Sequence, residues 1–274
     1  MIRKIWALPL FLLAMSLPVA AEEWKIPLVP GTLEANTELE LERNRFPFLV
    51  DTGASSTTIS QETFQKLDIP ENQVRYTTVR SADGRTTAVP VVTLANVKLG
   101  PFTIPQISAR VVSERGANLL GMDILGRYRL TLEAARNQLV VENPNEAASI
   151  NAQTNFPYNP RQFKIPVQVK INGTPVTLIL DTGASQTVIS NRLAQALQLP
   201  ITGQSEAEVA SGKVVTTSIA RVNSLQLGDL SVSNFSISVI QDGIFSGDGL
   251  LGFDFLRKYR LVLDPIARRA YLEN

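Results

Sequence analysis

The sequence is written twice. Phe48-Leu49-Val50-Asp51-Thr52-Gly53-Ala54-Ser55 returns as Leu178-Ile179-Leu180-Asp181-Thr182-Gly183-Ala184-Ser185. Thr58-Ile59-Ser60 returns as Val188-Ile189-Ser190, and Leu119-Leu120-Gly121 returns as Leu250-Leu251-Gly252. Asp123, Leu125, Tyr128, Arg129 and Leu130 then match Asp254, Leu256, Tyr259, Arg260 and Leu261. Two units are too few for a solenoid, which needs roughly three to bury a continuous core. The repeat instead predicts two similar lobes related by a pseudo-twofold axis. Lys25-Ile26-Pro27 also resembles Lys164-Ile165-Pro166, but it stands farther from its aspartate. That mismatch predicts an insertion in the first unit near Pro30 to Asn36.

Each unit is predicted to be mainly β. Val167 to Ile171, the Asn172-Gly173 pair and Val176 to Leu180 form a hairpin pattern with a tight turn. Leu130 to Leu132 and Gln138 to Val141 flank a second turn. Short helices are expected after Ser60 and Ser190 as N-caps, stopped by Pro70 and Pro200. Asp123 and Asp254 are expected to cap a further short helix in each unit. Asn143 to Gln162, rich in Asn, Pro, Ala and Gln, is expected to be a linker, reaching roughly 25 Å as a flexible coil. The division is a leader over 1–21, a first lobe over 22–142, the linker over 143–162 and a second lobe over 163–274. The leader carries Arg3 and Lys4, an apolar run from Ile5 to about Leu17, and small residues at Val19-Ala20-Ala21. This is the pattern of a cleaved signal peptide, so the protein is expected to be exported to a periplasm or secreted, without stable membrane insertion.

The chain contains no His and no Cys. Ser-His-Asp triads, Cys-His pairs, His or Cys zinc sites and disulfides are therefore excluded. Hydrolytic chemistry has to run on carboxylates, hydroxyls, Lys or a carboxylate-bound metal. The formal net charge of +1 gives no reason to expect a nucleic-acid partner.

In both units three apolar residues run into Asp-Thr-Gly. The pattern predicts a buried strand ending in a sharp loop, with Gly53 and Gly183 permitting a turn that a side chain would block. If a pseudo-twofold axis brings the loops together, Asp51 faces Asp181. Two carboxylates about 3 Å apart repel by roughly 5 kcal/mol at an effective dielectric near 20, or ~4 pK units. One proton is then shared over a broad acidic range. The ionised member can take a proton from water, and the protonated member can donate to a carbonyl.

These residues resemble the retropepsin-like aspartic proteases, and the chain is similar to pepsins in carrying both halves. The likeness rests on Asp-Thr-Gly-Ala-Ser in each half, followed by Leu119-Leu120-Gly121 and Leu250-Leu251-Gly252. It implies an all-β fold of two barrel-like lobes, with Asp51 and Asp181 catalytic and no cofactor or metal. It implies that the apolar-apolar-Gly element threads behind each catalytic loop. Thr52 and Thr182 would bond across the interface, with Gly53, Ala54, Gly183 and Ala184 supporting the loops. Hairpin flaps would lie at Ala82-Asp83-Gly84 and Ser211-Gly212-Lys213, and an extended peptide or protein would be the substrate. A monomer with pseudo-dimeric lobes is expected. The alternative is an inactive peptide-binding module of the same fold. Neither flap carries the Gly-rich tip of viral retropepsins or an obvious flap tyrosine, Tyr76 being the nearest to the first. Ala54 and Ala184 stand where pepsins often carry a hydroxyl, which places the expected optimum nearer pH 5 than pH 2.

Other motifs have plainer readings. Asp242-Gly243 and Asp248-Gly249 fit turns better than a calcium loop. Arg127, Arg129, Lys258 and Arg260 fit a solvated face or local ion pairs better than a substrate contact. Asn172-Gly-Thr and Asn234-Phe-Ser fit the glycosylation sequon.

Overall fold

The computed structural model describes residues 23–28, 35–80, 86–112, 116–162, 164–209, 213–243 and 247–274. The leader and the flap residues Ala82, Asp83, Gly84, Ser211 and Gly212 lie outside these. In the first half the elements are β1 (Glu23–Pro27), β2 (Asn36–Leu41), β3 (Asn44–Val50), β4 (Thr58–Ser60), α1 (Gln61–Lys66), β5 (Arg75–Arg80), β6 (Thr86–Leu99), β7 (Phe102–Val112), β8 (Leu119–Leu120), α2 (Met122–Leu125), β9 (Arg129–Glu133) and β10 (Gln138–Glu142). The second half gives β11 (Thr154–Pro157), β12 (Pro166–Ile171), β13 (Thr174–Leu180), β14 (Val188–Ser190), α3 (Asn191–Ala196), β15 (Ile201–Glu208), β16 (Val214–Leu227), β17 (Leu230–Ile240), β18 (Gly249–Leu251), α4 (Phe253–Leu256), β19 (Arg260–Asp264) and β20 (Arg269–Glu273).

These strands form three sheets. One runs β2-β3-β8-β4-β7-β6-β5, and a second repeats that order as β12-β13-β18-β14-β17-β16-β15. Extra pairings, β2 with β6 and β12 with β16, close each sheet on itself. The third sheet runs β1-β10-β9-β19-β20-β11 and is shared, because β9 pairs with β19 across the halves. Alternation of apolar residues explains the burial. Leu39, Leu41, Phe46, Phe48 and Val50 point into one core, and Val167, Val169, Ile171, Leu178 and Leu180 into the other. Ser60 and Ser190 cap α1 and α3, accepting from Thr63 N–H and Leu193 N–H at 3.1 Å each. Among the described residues no helix is long and apolar enough to cross a membrane.

Two expectations change. The Lys-Ile-Pro match is coincidental, because β1 corresponds to β11, not to the segment around Ile165. Pro27 pairs with Gln138 as Pro157 pairs with Arg269. Leu28 N–H donates to the Asn137 carbonyl as Tyr158 N–H donates to that of Arg268. Ala35 and Ile165 then occupy like places, their carbonyls accepting from Val50 N–H and Leu180 N–H. The register thus holds upstream of the aspartates, and no insertion is needed in the first half. The second half's first strand, β11, also lies inside the segment expected to be a linker. Short strands at a sheet edge carry little apolar alternation, so Thr-Asn-Phe-Pro gave no strand signal.

Candidate active site

Asp51 and Asp181 stand at the ends of β3 and β13, each on a loop anchored from behind. Leu49 and Val50 pair in parallel with Leu119 and Leu120, and Ile179 and Leu180 with Leu250 and Leu251. Asp51 N–H donates to the Leu120 carbonyl at 3.1 Å, and Asp181 N–H to that of Leu251 at 3.0 Å. The glycines that follow let the chain pass under the loop. A Cβ on Gly121 would lie 2.6 Å from the Ser56 carbonyl carbon, and one on Gly252 2.3 Å from that of Gln186.

A polar brace completes each loop. Asp123 Oδ1 accepts from Thr57 N–H at 2.9 Å and from its hydroxyl at 2.8 Å. Asp254 Oδ1 accepts from Thr187 N–H and hydroxyl at the same two distances. The expected capping role is not theirs: Gly121 and Gly252 occupy the N-cap positions of α2 and α4. Thr57 and Thr187 are wholly buried, and the sequence reading passed over them. The signal was available, since both lie six positions beyond the aspartates.

The threonines of the motif join the halves. Thr52 N–H donates to Thr182 Oγ1, and Thr182 N–H to Thr52 Oγ1, at 3.1 Å each. The hydroxyls donate onward, Thr52 to the Leu180 carbonyl at 3.1 Å and Thr182 to the Val50 carbonyl at 2.6 Å. Across a narrow void, these two loops face Leu130, Leu132, Leu261 and Leu263 of the shared sheet. Thr182→Val is expected to orphan a buried donor, Thr52 N–H, and a buried acceptor, the Val50 carbonyl. At about 1–3 kcal/mol for each orphaned group, chemical denaturation is expected to show a loss of about 2–6 kcal/mol. A loss below about 1 kcal/mol would mean that these bonds do not hold the halves together.

The carboxyl pair lies between these bonds. Each aspartate is 8% exposed. Asp51 Oδ1 accepts from Gly53 N–H and Ala54 N–H at 2.8 Å each, and Asp181 Oδ1 from Gly183 N–H at 2.8 Å and Ala184 N–H at 3.0 Å. The glycines are required by close approach, not by a left-handed turn, because neither has a positive φ. A Cβ on Gly53 would lie 2.4 Å from Asp181 Oδ2, and one on Gly183 2.5 Å from Asp51 Cγ. Each glycine therefore abuts the aspartate of the other half. Burial pushes both carboxyls above the ordinary range, and the charge of Asp51 pushes Asp181 further.

Comparison with known proteins accords with this geometry. Residues 167–255 match the family profile described as "Aspartyl protease", and residues 37–127 match "gag-polyprotein putative aspartyl protease". The crystal structure of aspartic proteinase from Irpex lacteus superposes with a TM-score of 0.56 at 15% identity, covering 92% of this chain and 97% of that one. The chain has the aspartic-protease fold. In general terms it falls within the aspartic-protease clan. A retropepsin-like aspartic protease from Rickettsia conorii aligns with 44% of this chain and 90% of its own, at 22% identity and a TM-score of 0.36. DNA damage-inducible protein 1 of Chaetomium globosum is 26% identical over 118 residues, which are 42% of this chain and 27% of that relative's length. β5 pairs antiparallel with β6, and β15 with β16; the expected flap residues fall between these strands in the sequence. Of the flap residues, Lys213 is described and exposed, and its carbonyl accepts from Val209 N–H at 3.0 Å. Tyr76 lies on β5 opposite Pro90 and is 71% exposed.

Proposed function

We propose that the chain is an aspartic endopeptidase in which Asp51 and Asp181 form one catalytic pair between the two pseudo-twofold halves of a single monomer. The observation that carries the reading is the reciprocal packing of Gly53 on Asp181 and Gly183 on Asp51. A side chain on either glycine would displace the carboxyl of the other half. One shared proton makes the pair both acid and base. The ionised carboxylate removes a proton from a water molecule as the water oxygen attacks the scissile carbonyl carbon. The protonated partner gives its proton to the carbonyl oxygen. The resulting gem-diol collapses, the C–N bond breaks, and a proton passes to the departing amine. Thr52, Gly53, Ala54, Thr182, Gly183 and Ala184 hold the pair through the hydrogen bonds above. The substrate is an extended peptide under the two hairpins. Neither metal nor cofactor has a part in this route. The leader over 1–21 supports export to a periplasm or out of the cell.

The reading is tested by cleavage of an unstructured protein such as casein between pH 3 and 7. Main-chain N–H groups, and no side-chain hydroxyl, bond the carboxyls at Ala54 and Ala184. The optimum of activity is therefore expected nearer pH 5 than pH 2. Strong cleavage confined to below pH 3 contradicts that assignment. Binding of casein with no cleavage anywhere in the range points to a peptide-binding module instead.

A further inference from the structure

The connection between the halves does more than span them. After β10 it lays Glu146 to Ala148 across one end of the shared sheet. There Arg129 Nη2 donates to the Glu146 carbonyl. Asp264 Oδ2 accepts from Ala148 N–H at 2.8 Å. Farther on, the Pro160 carbonyl rests on Gly126, where a Cβ would come within 2.7 Å of it. This end of the sheet therefore binds a main-chain segment with one guanidinium donor and one carboxylate acceptor.

The other end carries the same apparatus. Arg129 lies near Glu142 at 3.6 Å and Asp264 at 3.1 Å. In the corresponding places Arg260 pairs with Glu273 and, at 3.0 Å, with Glu133. No described segment crosses this second pair. Instead a groove of about 420 Å³ opens beside it, bordered by Glu133, Arg136, Arg257, Lys258, Arg260 and Asn274. Arg257 stands where Gly126 admits Pro160 at the first end, and Arg136 where the first end has Ala267. Arg136, Arg257 and Lys258 thus line the groove with three cations besides Arg260. Arg257 and Lys258 are exposed, while Glu133 is already bonded to Arg260 and Arg136.

We propose that this groove docks an extended acidic segment of a partner protein, held as Glu146 to Ala148 is held at the opposite end. A carbonyl of the segment accepts from Arg260, an N–H donates to Glu133, and its acidic side chains meet Arg136, Arg257 and Lys258. None of the residues of the Asp-Thr-Gly loops borders the groove, so docking here is separate from cleavage. The contact is electrostatic and partly exposed, which makes it weak and sensitive to salt.

The probe is a fluorescein-labelled peptide with the sequence of residues 143–150, Asn-Pro-Asn-Glu-Ala-Ala-Ser-Ile, carrying Asn143→Asp, Asn145→Asp and Ser149→Asp. Binding is followed by anisotropy on full-length Asp181→Asn protein, which keeps the peptide intact. Saturable binding is expected at about 10–100 μM in low salt, weakening about tenfold in 0.3 M salt. Adding Arg257→Glu with Lys258→Glu is expected to weaken it at least about tenfold with unchanged circular dichroism, while Arg127→Glu at the other end leaves it intact. No saturation below about 1 mM overturns the proposal, as does binding that survives the double change. Sedimentation showing a dimer that the double change dissociates also overturns it, since the occupant is then a second copy.

Discussion

Replacing either dyad aspartate with asparagine is expected to abolish proteolysis and, at neutral pH, to raise the melting temperature. Asparagine keeps an Oδ1 that accepts from the Gly53 and Ala54, or the Gly183 and Ala184, N–H groups. The loop therefore has no reason to move. On the proposed mechanism one half of the proton exchange is lost, and positioned acid–base groups contribute about 10²–10⁴-fold each. Casein cleavage by Asp51→Asn and by Asp181→Asn is expected to fall by at least that factor. The stability effect has the opposite sign. Both folded-state pKa values are raised by burial, and that of Asp181 also by the charge of Asp51. A carboxyl raised on folding contributes stability that is complete below its unfolded pKa and lost as pH climbs through the folded one. Wild type should therefore weaken, relative to either variant, from about pH 4 upward, by about 1.4 kcal/mol for each pK unit added. Melting curves at pH 4, 5.5 and 7 should show the gain of the variants widening with pH. A gain that shrinks with pH would mean that the carboxyls are held in their charged form. A variant that is folded and still fully active would falsify the shared-proton mechanism.

Arg129→Ala is expected to cost about 3–5 kcal/mol, whereas Arg260→Ala should cost about 1 kcal/mol or less. The two arginines occupy like places and make like ion pairs, so sequence alone gives them equal weight. Burial separates them. The Arg129 side chain is 10% exposed and its partner Asp264 is 0% exposed. Burial alone would raise the Asp264 carboxyl, but the Ala148 and Ala267 N–H groups and the Arg129 charge hold it below the ordinary range. Without Arg129 a buried carboxylate remains with no cation. Arg260 is 37% exposed, so water can take over much of its work at Glu133 and Glu273. At about 2–4 °C per kcal/mol for a chain of this size, calorimetry should show losses of about 6–20 °C for Arg129→Ala and about 4 °C or less for Arg260→Ala. Equal losses would mean that the linker contacts at Glu146 and Ala148 do not dry out the Arg129 end.

Among the hairpins, legibility followed turn chemistry. Asn172-Gly173 was visible because both residues tolerate the left-handed conformation that they adopt, at φ of 50° and 84°. Its counterpart, Glu42-Arg43, adopts φ of 48° and 68° with residues that give no such signal. The helix caps Ser60 and Ser190 were legible for the same local reason, since a cap bond spans three residues. The recurrence of Thr57 and Thr187 six positions beyond the aspartates was legible, but their pairing with Asp123 and Asp254 was not, because the partners are 66 and 67 positions apart.

Repetition of Asp-Thr-Gly and of Leu-Leu-Gly determined the doubled β architecture and singled out Asp51 and Asp181, because a repeated motif constrains backbone and chemistry together. The absence of His and Cys narrowed hydrolytic chemistry to carboxylates, hydroxyls, Lys or a carboxylate-bound metal. Tertiary structure alone decided why Gly53 and Gly183 have to be glycine. The obstructing atoms belong to the aspartate of the other half, and no local pattern records contacts across 128 and 132 positions. It also decided that β1 and β11 are counterparts, and that the linker covers Arg129 and leaves Arg260 open. Those facts depend on which edge of the shared sheet each strand reaches, and hydrogen bonds between distant strands, not local propensity, fix that edge.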